Sequence, residues 1–282
     1  MILIEGNKLK EKIIKELKEK TKKLPRPIKI AIIQVGENES STIYINQKKK
    51  LEQEINILIN HIKLQEKTKE QEIIKIINKL NQDKEIDGIM VQLPLPKHLN
   101  PKTIINKIDE NKDIDGLTDS NIIKLYNNNY TLAPCTPIGI LKLLELYKID
   151  LEDKNIVILG RSDIVGKPLS MLLTNSNATV TLCHSKTKDV KNITNKAEAD
   201  ILISAIGRPK LITKDYIKKD AIIIDVGINK DENGKLCGDV DFEDVKDKVS
   251  YITPVPKGVG PATIAMFLEN SYKAYLLNNK KW

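Results

Sequence analysis

Hydrophobic residues follow two spacings along the chain, one typical of helices and one typical of buried strands. From residue 7 to 24, apolar positions recur every three or four residues, and the run PRPIKIAIIQVG that follows predicts a strand bounded by prolines and a glycine. The alternation continues with a helix from about Thr42, the strand NILINHIKL, a helix over residues 69–82 and the strand EIDGIMVQLPLP. Helices that alternate with strands predict an α/β fold with a largely parallel sheet.

A second alternating half follows a polar passage that includes the run NNN at residues 127–129. A helix over residues 137–147 precedes four predicted strands: NIVILG, ATVTLC, DILISAIG and AIIIDVG. The last segment, PATIAMFLENSYKAYLL, predicts one amphipathic helix, and its initial proline suits a first helical turn. Because 282 residues are enough for about two domains, the sequence predicts a two-domain α/β protein.

Composition and charge narrow the class of protein. Hydrophobic residues make up 40% of the chain but aromatic residues only 4%, so the core must consist mainly of β-branched aliphatic side chains, which favour sheets covered by helices. The formal net charge of +8 is compatible with nucleic acid, membrane phosphates or an anionic small molecule. The lysines are spread over the predicted helices, and the chain has no basic strip interleaved with aromatics and no docking motif. We therefore expect no nucleic-acid partner.

The cysteines and the N-terminus indicate where such a protein works. Cys135, Cys183 and Cys237 form neither a CxxC nor a His-x-Cys pattern, which argues against a disulfide framework and against a metal site. The N-terminal sequence MILIEGNKLKEK becomes charged within five residues and has no cleavage site of small residues. No apolar run approaches the ~18 residues that a membrane span needs. We therefore expect a soluble, cytoplasmic protein that does not bind a membrane.

The segment VILGRSDIVGKP is a candidate phosphate site, because it runs from a buried strand through a glycine turn into a helix whose free N–H groups attract anions. It is not a GxGxxG motif, since Gly160 and Gly166 are six residues apart; without a ligand, the segment would be an ordinary tight turn. NAD-binding folds place an acidic residue after the second strand, whereas this chain has LCHSKT there, which favours NADP over NAD. His184 in that segment is more typical of a structural or surface histidine than of a catalyst.

Two later strands, DILISAIGRP and IIIDVGIN, also end in glycine. In open α/β sheets, ligands lie at the carboxyl ends of the strands, so these ends could line a cofactor crevice. Ordinary turn chemistry explains the glycines equally well.

The segment SSTIYINQKKK places three consecutive lysines after a tyrosine. One of its two serines can cap a helix that begins near Thr42, and in that helix Tyr44 and Lys48 lie about 40° apart on one face while the next two lysines point elsewhere. Spacing alone favours the packing of an amphipathic helix over a reactive site.

Two polar residues from other segments could join this face. Gln92 ends a buried strand in VQLPLP, and Asp115 precedes a glycine in KDIDGL. Each has a simple structural explanation, as a strand end or as an Asp-Gly turn. Together they would surround one cleft with Lys, Gln, Tyr and Asp side chains.

Ten segments, which cover nearly the whole chain, resemble in order those of the bifunctional methylenetetrahydrofolate dehydrogenase/cyclohydrolase family. The segments are STIYINQKKK, MVQLPLPKHL, NKDIDGLTDSN, PCTPIGI, VILGRSDIVGKP, TLCHSKT, ADILISAIGRP, IIIDVGIN, GDVDF and TPVPKGVGPATIAMFLEN. Such a number of matches in the same order does not arise by chance.

The resemblance implies a folate-binding catalytic domain over residues 1–135 and 262–282, completed by the C-terminal helix, and a Rossmann-like NADP-binding domain over residues 136–261. It implies NADP-dependent oxidation of 5,10-methylenetetrahydrofolate to 5,10-methenyltetrahydrofolate, and hydrolysis of that product to 10-formyltetrahydrofolate. Members of the family are typically homodimers, and they act in one-carbon metabolism and so in the biosynthesis of purines, histidine and methionine.

The family pattern also assigns roles to residues of this chain. Lys48 would be the catalytic lysine, assisted by Gln92, while Tyr44 would border the folate and Asp115 would hold its pterin ring. The remaining assignments are a folate loop with Pro256, Gly258 and Gly260, and NADP contacts at Gly160, Arg161, Ser162, Ser185 and Ile228. The chain departs from the pattern at Lys257, where the family usually has a glycine. If that position needs a positive φ, a lysine there is strained.

Two other functions stay open on the residues alone. One is a monofunctional NAD(P)-dependent dehydrogenase on the same scaffold, which a methenyltetrahydrofolate hydrolysis assay without nucleotide would distinguish. The other is a nucleotide-sensing module without chemistry. Such a module would keep the glycine turn but would have no reason to gather Lys48, Gln92 and Asp115 in one cleft.

Overall fold

The computed structural model describes residues 1–196 and 199–279, except for the side chains of Glu39, Ser40 and Lys196. The helices are α1 (Gly6–Thr21), α2 (Glu39–Lys49), α3 (Glu70–Gln82), α4 (Pro101–Ile105), α5 (Asp119–Tyr126), α6 (Cys135–Leu146), α7 (Gly166–Thr174), α8 (Phe242–Val245) and α9 (Val259–Asn278). The strands are β1 (Ile2–Leu3), β2 (Ile28–Val35), β3 (Ile57–Leu64), β4 (Gly88–Val91), β5 (Asn155–Leu159), β6 (Thr179–Cys183), β7 (Ile201–Ser204), β8 (Ile222–Asp225), β9 (Asn229–Lys230), β10 (Leu236–Cys237) and β11 (Tyr251–Ile252). Short π-helical and 3-10 turns cover Asn192–Lys196 and Lys214–Tyr216.

The chain folds into two compact units. The first unit comprises Lys12–Cys135 and Phe267–Trp282, and the second comprises Met1–Glu11 and Thr136–Met266. Relative to the domain limits expected from the sequence, the N-terminal residues belong to the second unit because β1 pairs with β11 and extends the sheet of that unit. Within the described residues, no helix is both long enough and apolar enough to pass through a membrane.

The first unit is built on a parallel sheet with the strand order β3-β2-β4. The central strand β2 is buried along nearly its whole length, as expected for a strand covered on both faces. Helices α3 and α4 pack on one face of it, and the core there contains Ala31, Ile33, Val35, Ile73, Ile77, Leu80, Ile86, Ile89, Val91, Leu99, Ile104, Ile105 and Ile108. The aliphatic composition of the chain therefore appears directly in this core.

The second unit is built on a six-stranded sheet with the order β1-β11-β8-β7-β5-β6, in which every pair is parallel. Outside it, β9 and β10 form an antiparallel hairpin. Because the strands are parallel, the carboxyl ends of β5, β6, β7 and β8 meet at one edge of the sheet. The prediction of an α/β protein with parallel sheets is confirmed.

Helix α2, which carries Lys48, begins earlier than the sequence indicated. Asn38 caps it by accepting a hydrogen bond at Oδ1 from the amide of Ser41 (2.9 Å), so the helix starts at Glu39 rather than near Thr42. The prediction of a serine cap is wrong for Ser41, which lies inside the first turn, and the side chain of the serine before it is outside the described residues. The error arises because asparagine and serine are comparable N-cap residues. Asn38, which comes first in the chain, is the N-cap.

Candidate active site

Lys48 is a buried lysine, with only 5% of its surface exposed. Its Nζ donates to Sδ of Met90 (3.1 Å) and lies 4.2 Å from the centre of the Phe267 ring. Desolvation lowers the pKa of the amine, and the charge of Asp115 opposes that effect only in part. An amine in such a setting is neutral more often than a free lysine and can accept a proton.

The neighbours of Lys48 on α2 have different environments. Tyr44, one turn earlier, is half-buried, and burial raises the pKa of its phenol. Lys49 is half-buried and Lys50, at the end of the helix, is exposed. The three consecutive lysines are therefore not equivalent, and only Lys48 enters the interior.

Asp115 lies in a loop whose backbone is held by a different aspartate. The carboxylate of Asp113 accepts hydrogen bonds from the amides of Gly116 (2.9 Å) and Thr118 (2.8 Å) and from the side chain of Asn121 (2.9 Å). Gly116 has φ of +69°, and a Cβ there would overlap the backbone of Ala133, so the turn needs glycine. Because Asp113 already forms the turn, the carboxylate of Asp115 is not required for it.

The Asp115 carboxyl instead interacts with the Cys135 thiol and with the charge of Lys48. Desolvation raises the pKa of Asp115 to about 6, and Lys48 works against this rise. Burial also raises the pKa of the Cys135 thiol well above its usual range. Asn270 of α9 donates to the carbonyls of Ile114 (3.1 Å) and Ala133 (2.8 Å) and so fixes the two segments that carry Asp115 and Cys135.

Gln92 follows β4 and has one unsatisfied polar atom. Its Nε2 donates to the carbonyl of Leu93 (2.8 Å), whereas its buried Oε1 has no hydrogen-bond partner among the described residues. Buried polar atoms are nearly always paired in native proteins, so an orphan acceptor indicates a partner that arrives from outside the chain or moves into place. Gln92 lies two residues after Met90, the residue that holds the Lys48 amine.

The loop before α9 belongs to the second unit and is tightly packed. Lys257 has φ of +89°, which is the strained conformation anticipated for a lysine at this position. A Cβ on Gly258 would meet the carbonyl oxygen of Pro254, and a Cβ on Gly6 would meet that of Gly258. Pro256 is exposed, and Gly260 lies in the first turn of α9 rather than in the loop.

A cavity of about 430 Å³ opens at the carboxyl edge of the sheet in the second unit. Its walls come from the ends of β5, β6 and β7, where open α/β sheets bind ligands. The lining residues are Leu159, Gly160, Arg161, Cys183, His184, Ser185, Thr187, Val190, Ala205, Ile206, Arg208, Leu211 and Tyr216. Three of the five residues expected to contact NADP, Gly160, Arg161 and Ser185, are in this set.

The turn between β5 and α7 requires glycine at two positions. Gly160 has φ of +116°, a Cβ there would overlap the carbonyl oxygen of Ala205, and a Cβ on Gly166 would overlap that of Gly160. Ser162 does not line the cavity, because its Oγ accepts a hydrogen bond from the amide of Val165 (3.2 Å) at the start of α7. The turn is therefore a compact entry into the helix, with backbone approaches that only glycine allows.

The charges around the cavity suit an anionic dinucleotide. Among its lining residues, all in the described part of the chain, none is acidic and two are arginines, Arg161 and Arg208. The Nδ1 atom of His184 accepts a hydrogen bond from the amide of Lys186 (3.1 Å), a structural contact. Ile228 is outside the lining set and is 50% exposed. The cavity thus fits NADP, whose extra phosphate has no carboxylate to oppose it.

The three cysteines and the metal-binding residue types do not suggest further chemistry. Cys135, Cys183 and Cys237 are all buried and free. Within the residues that the structure describes, no three His, Cys, Asp or Glu side chains are grouped as metal ligands would be.

Sequence comparisons assign the chain to a family. Residues 4–115 match the profile of the tetrahydrofolate dehydrogenase/cyclohydrolase catalytic domain, and residues 134–279 match the profile of the NAD(P)-binding domain of the same family. The chain belongs to the tetrahydrofolate dehydrogenase/cyclohydrolase family. The two profiles together cover the Lys48 site and the cavity.

Relatives with high similarity extend over the whole chain. The bifunctional protein FolD of Thermodesulfovibrio yellowstonii is 49% identical over 282 residues, which is 99% of this chain and 98% of that protein. The crystal structure of the bifunctional enzyme FolD, methylenetetrahydrofolate dehydrogenase/cyclohydrolase, from Campylobacter jejuni is 45% identical, covers 98% of both chains and has a TM-score of 0.93. The FolD structure from Trypanosoma brucei, complexed with NADP cofactor and inhibitor, is 32% identical, covers 98% of this chain and 97% of that one, and has a TM-score of 0.91.

Several residues at these sites were not anticipated from the sequence. They are Met90, Phe267, Cys135 and Asn270 around Lys48 and Asp115, and Arg208 in the cavity. Phe267 and Asn270 lie in α9, far along the chain from Lys48, so no local pattern links them. Asn270 stands between Glu269 and Ser271 in a polar part of α9, so its sequence neighbours do not single it out.

Proposed function

We propose that this chain oxidises 5,10-methylenetetrahydrofolate with NADP and hydrolyses the methenyl product to 10-formyltetrahydrofolate. The observation that carries the proposal is the buried Lys48 amine with its lowered pKa, close enough to Asp115 for their charges to interact. A buried lysine beside a carboxylate, in a unit that matches the catalytic-domain profile, has the properties of a general base and acid.

In the hydrolysis, Lys48 moves protons. Its neutral amine takes a proton from the water that adds to the methenyl carbon, and the resulting ammonium delivers a proton to the ring nitrogen when the bridge opens. The second proton of the water is released, so the reaction converts methenyltetrahydrofolate and water into 10-formyltetrahydrofolate and one proton. Gln92, with its unpartnered Oε1, would steer the amine or the water by accepting a hydrogen bond.

Asp115 and Tyr44 would bind the substrate. A carboxylate that is not used by its own turn can accept hydrogen bonds from the amide-like donors of the pterin. Tyr44, half-buried on the same helix as Lys48, offers a ring against which the folate can pack. We assign the first unit to folate on this basis. Pro256, Gly258 and Gly260 are proposed as folate contacts on the family resemblance alone.

The second unit would hold NADP in its cavity. When bound, the nicotinamide accepts the hydride that leaves the one-carbon bridge. Gly160 would give the phosphates a close backbone approach, Arg161 would pair with the 2′-phosphate, and Ser185 would bind the same edge of the adenosine. Ser162 and Ile228 do not line the cavity and are proposed as NADP contacts on the family resemblance alone.

The direct test is to measure both reactions with the full-length protein. We expect turnover of methylenetetrahydrofolate with NADP, slower turnover with NAD at equal concentration, and hydrolysis of methenyltetrahydrofolate without any nucleotide. Hydrolysis that is absent, with oxidation intact, would support a monofunctional dehydrogenase instead. Nucleotide binding without either reaction would support a nucleotide-sensing module.

We further propose that the protein is a cytoplasmic homodimer that acts in one-carbon metabolism and so in the biosynthesis of purines, histidine and methionine. The proposal rests on the family resemblance. Analytical ultracentrifugation of the purified protein tests the dimer, since a monomeric mass at micromolar concentration would contradict it.

A further inference from the structure

Two buried aspartates lie beside the cavity of the second unit without belonging to its lining. Asp239 has 0% and Asp225 4% of its surface exposed. Asp225 ends β8, and Asp239 follows the hairpin strand β10. Among the described residues, neither aspartate forms a salt bridge, and each carboxylate instead accepts hydrogen bonds from backbone amides.

Asp239 collects five donors from two different segments. Its Oδ2 accepts from the Ser204 hydroxyl (3.1 Å) and from the amides of Ile206 (2.8 Å) and Gly207 (3.3 Å). Its Oδ1 accepts from the amide of Arg208 (2.9 Å) and from Nδ2 of Asn229 (2.9 Å). One carboxylate therefore holds the turn after β7 and links it to Asn229, the residue that follows Ile228.

Asp225 in turn fixes the backbone that carries Asp239. Its carboxylate accepts from the amides of Gly227, Asp239 and Val240, each at 3.0 Å. A Cβ on Gly227 would overlap the carboxylate of Asp239, and a Cβ on Gly238 would overlap that of Asp225. The two aspartates and two glycines form one interlocked group, which we call the aspartate–glycine interlock.

The turn that Asp239 holds is part of the cavity wall, because Ala205, Ile206 and Arg208 all line it. We propose that Asp239 is a positioning residue for the dinucleotide site, which sets the backbone of this wall and, through Asn229, the segment of Ile228. The inference rests on the proposed function of the cavity as the NADP site. Asp239 itself is fully buried and does not line the cavity.

The test is Asp239→Asn in the full-length protein. The amide keeps the shape of the side chain but turns one acceptor into a donor that faces backbone N–H groups, so the wall loses its arrangement. We expect the dissociation constants of NADP and NAD, measured by titration calorimetry, to rise together by about ten-fold. Hydrolysis of methenyltetrahydrofolate without nucleotide should stay unchanged.

A readout without nucleotide separates positioning from general stability. In the free protein, hydrogen exchange at the amides of Ile206 and Arg208 should accelerate in Asp239→Asn, while exchange in strand β5 does not change. The matched control is Asp231→Asn, which alters another carboxylate that accepts backbone amides, in the exposed β9–β10 turn. It should leave nucleotide affinity as in the wild type.

Unchanged nucleotide affinity in a folded Asp239→Asn protein would overturn the inference. If that variant does not fold, Ser204→Ala and Asn229→Ala remove single donors, and each should weaken nucleotide binding by a smaller factor; no weakening in either would also overturn it. A wild-type protein that binds no NADP defeats the proposed function itself, which keeps the two failures distinguishable.

Discussion

The same residue type occupies three environments in the run Lys48–Lys50. Lys48 is buried against Met90 and Phe267, Lys49 is half-buried and Lys50 is exposed. Burial desolvates the amine of Lys48 and lowers its pKa, so Lys48 is the member of the run that we propose for proton transfer. The helical rotation of about 100° per residue creates this difference between neighbours.

Replacing the three lysines one at a time tests this assignment. Lys48→Gln should lose cyclohydrolase activity almost completely and retain measurable dehydrogenase activity, because hydride transfer needs alignment whereas the addition of water needs a proton acceptor. Lys49→Gln and Lys50→Gln are the matched controls and should change little in either assay. Three variants with the same activities would show that Lys48 is not the reagent.

Asp115 carries a cost in stability that follows from its pKa of about 6. In the unfolded chain its pKa is about 3.9, so between about pH 4 and pH 6 the folded state holds a proton that the unfolded state has lost. The contribution of this group to the free energy of unfolding is therefore most favourable below about pH 4, falls as the pH rises to about 6, and is constant above that.

Asp115→Asn should remove that dependence. We expect its free energy of unfolding at pH 7.5 to exceed that of the wild type by about 1 to 3 kcal/mol, with the difference disappearing below about pH 4. Urea unfolding at a series of pH values measures it. The control Glu37→Gln, an exposed carboxylate in the same unit, should follow the wild type. A constant difference across the pH range would contradict the assigned cause.

At the scale of elements, periodicity in the sequence located the long helices and the buried strands but not the short pairings. The strands β1 and β11 are two residues each. β1 is a strand because it pairs with β11, and β11 because it pairs with both β1 and β8. A two-residue strand has no period to detect. The start of α2 was misplaced for a different reason, since Asn38 competes with the serines for one cap.

The loop between β11 and α9 contains a strained lysine, Lys257, whose replacement should change the free energy of unfolding. Lys257→Gly should raise the free energy of unfolding by about 1 kcal/mol, because φ of +89° is accessible to glycine without steric cost. Thermal unfolding at constant pH gives the value. Lys188→Gly, at an exposed lysine whose φ is not positive, should have the opposite sign, since there glycine only adds entropy to the unfolded chain.

At the scale of the whole molecule, the two activities are proposed to depend on residues of different units. Lys48, Gln92 and Asp115 belong to the first unit, and the cavity with its two arginines belongs to the second. Most of these residues could be predicted from the sequence, because its motifs resemble those of the family. The contacts that support them, such as Asn270 with Ala133 or Asp239 with Ile206, join positions far apart in the chain and were invisible before the fold was known.

Changes in the second unit should therefore separate the reactions. Arg161→Ala should raise the KM for NADP by about ten-fold or more and leave the KM for NAD and the cyclohydrolase rate unchanged, because only NADP has the 2′-phosphate that a guanidinium pairs with. Arg208→Ala is the companion variant in the same cavity. If Arg208→Ala loses the preference for NADP and Arg161→Ala keeps it, Arg208 rather than Arg161 pairs with the 2′-phosphate.

The aspartate–glycine interlock also limits how this sequence can evolve. Alanine at Gly238 would overlap the carboxylate of Asp225, and alanine at Gly227 would overlap both the carboxylate and the backbone nitrogen of Asp239. Loss of the Asp225 carboxylate would remove the clash at Gly238, but it would also remove the hydrogen bonds to the amides of Gly227, Asp239 and Val240. We therefore expect these four residues to be retained as a group, although none of them lines the cavity.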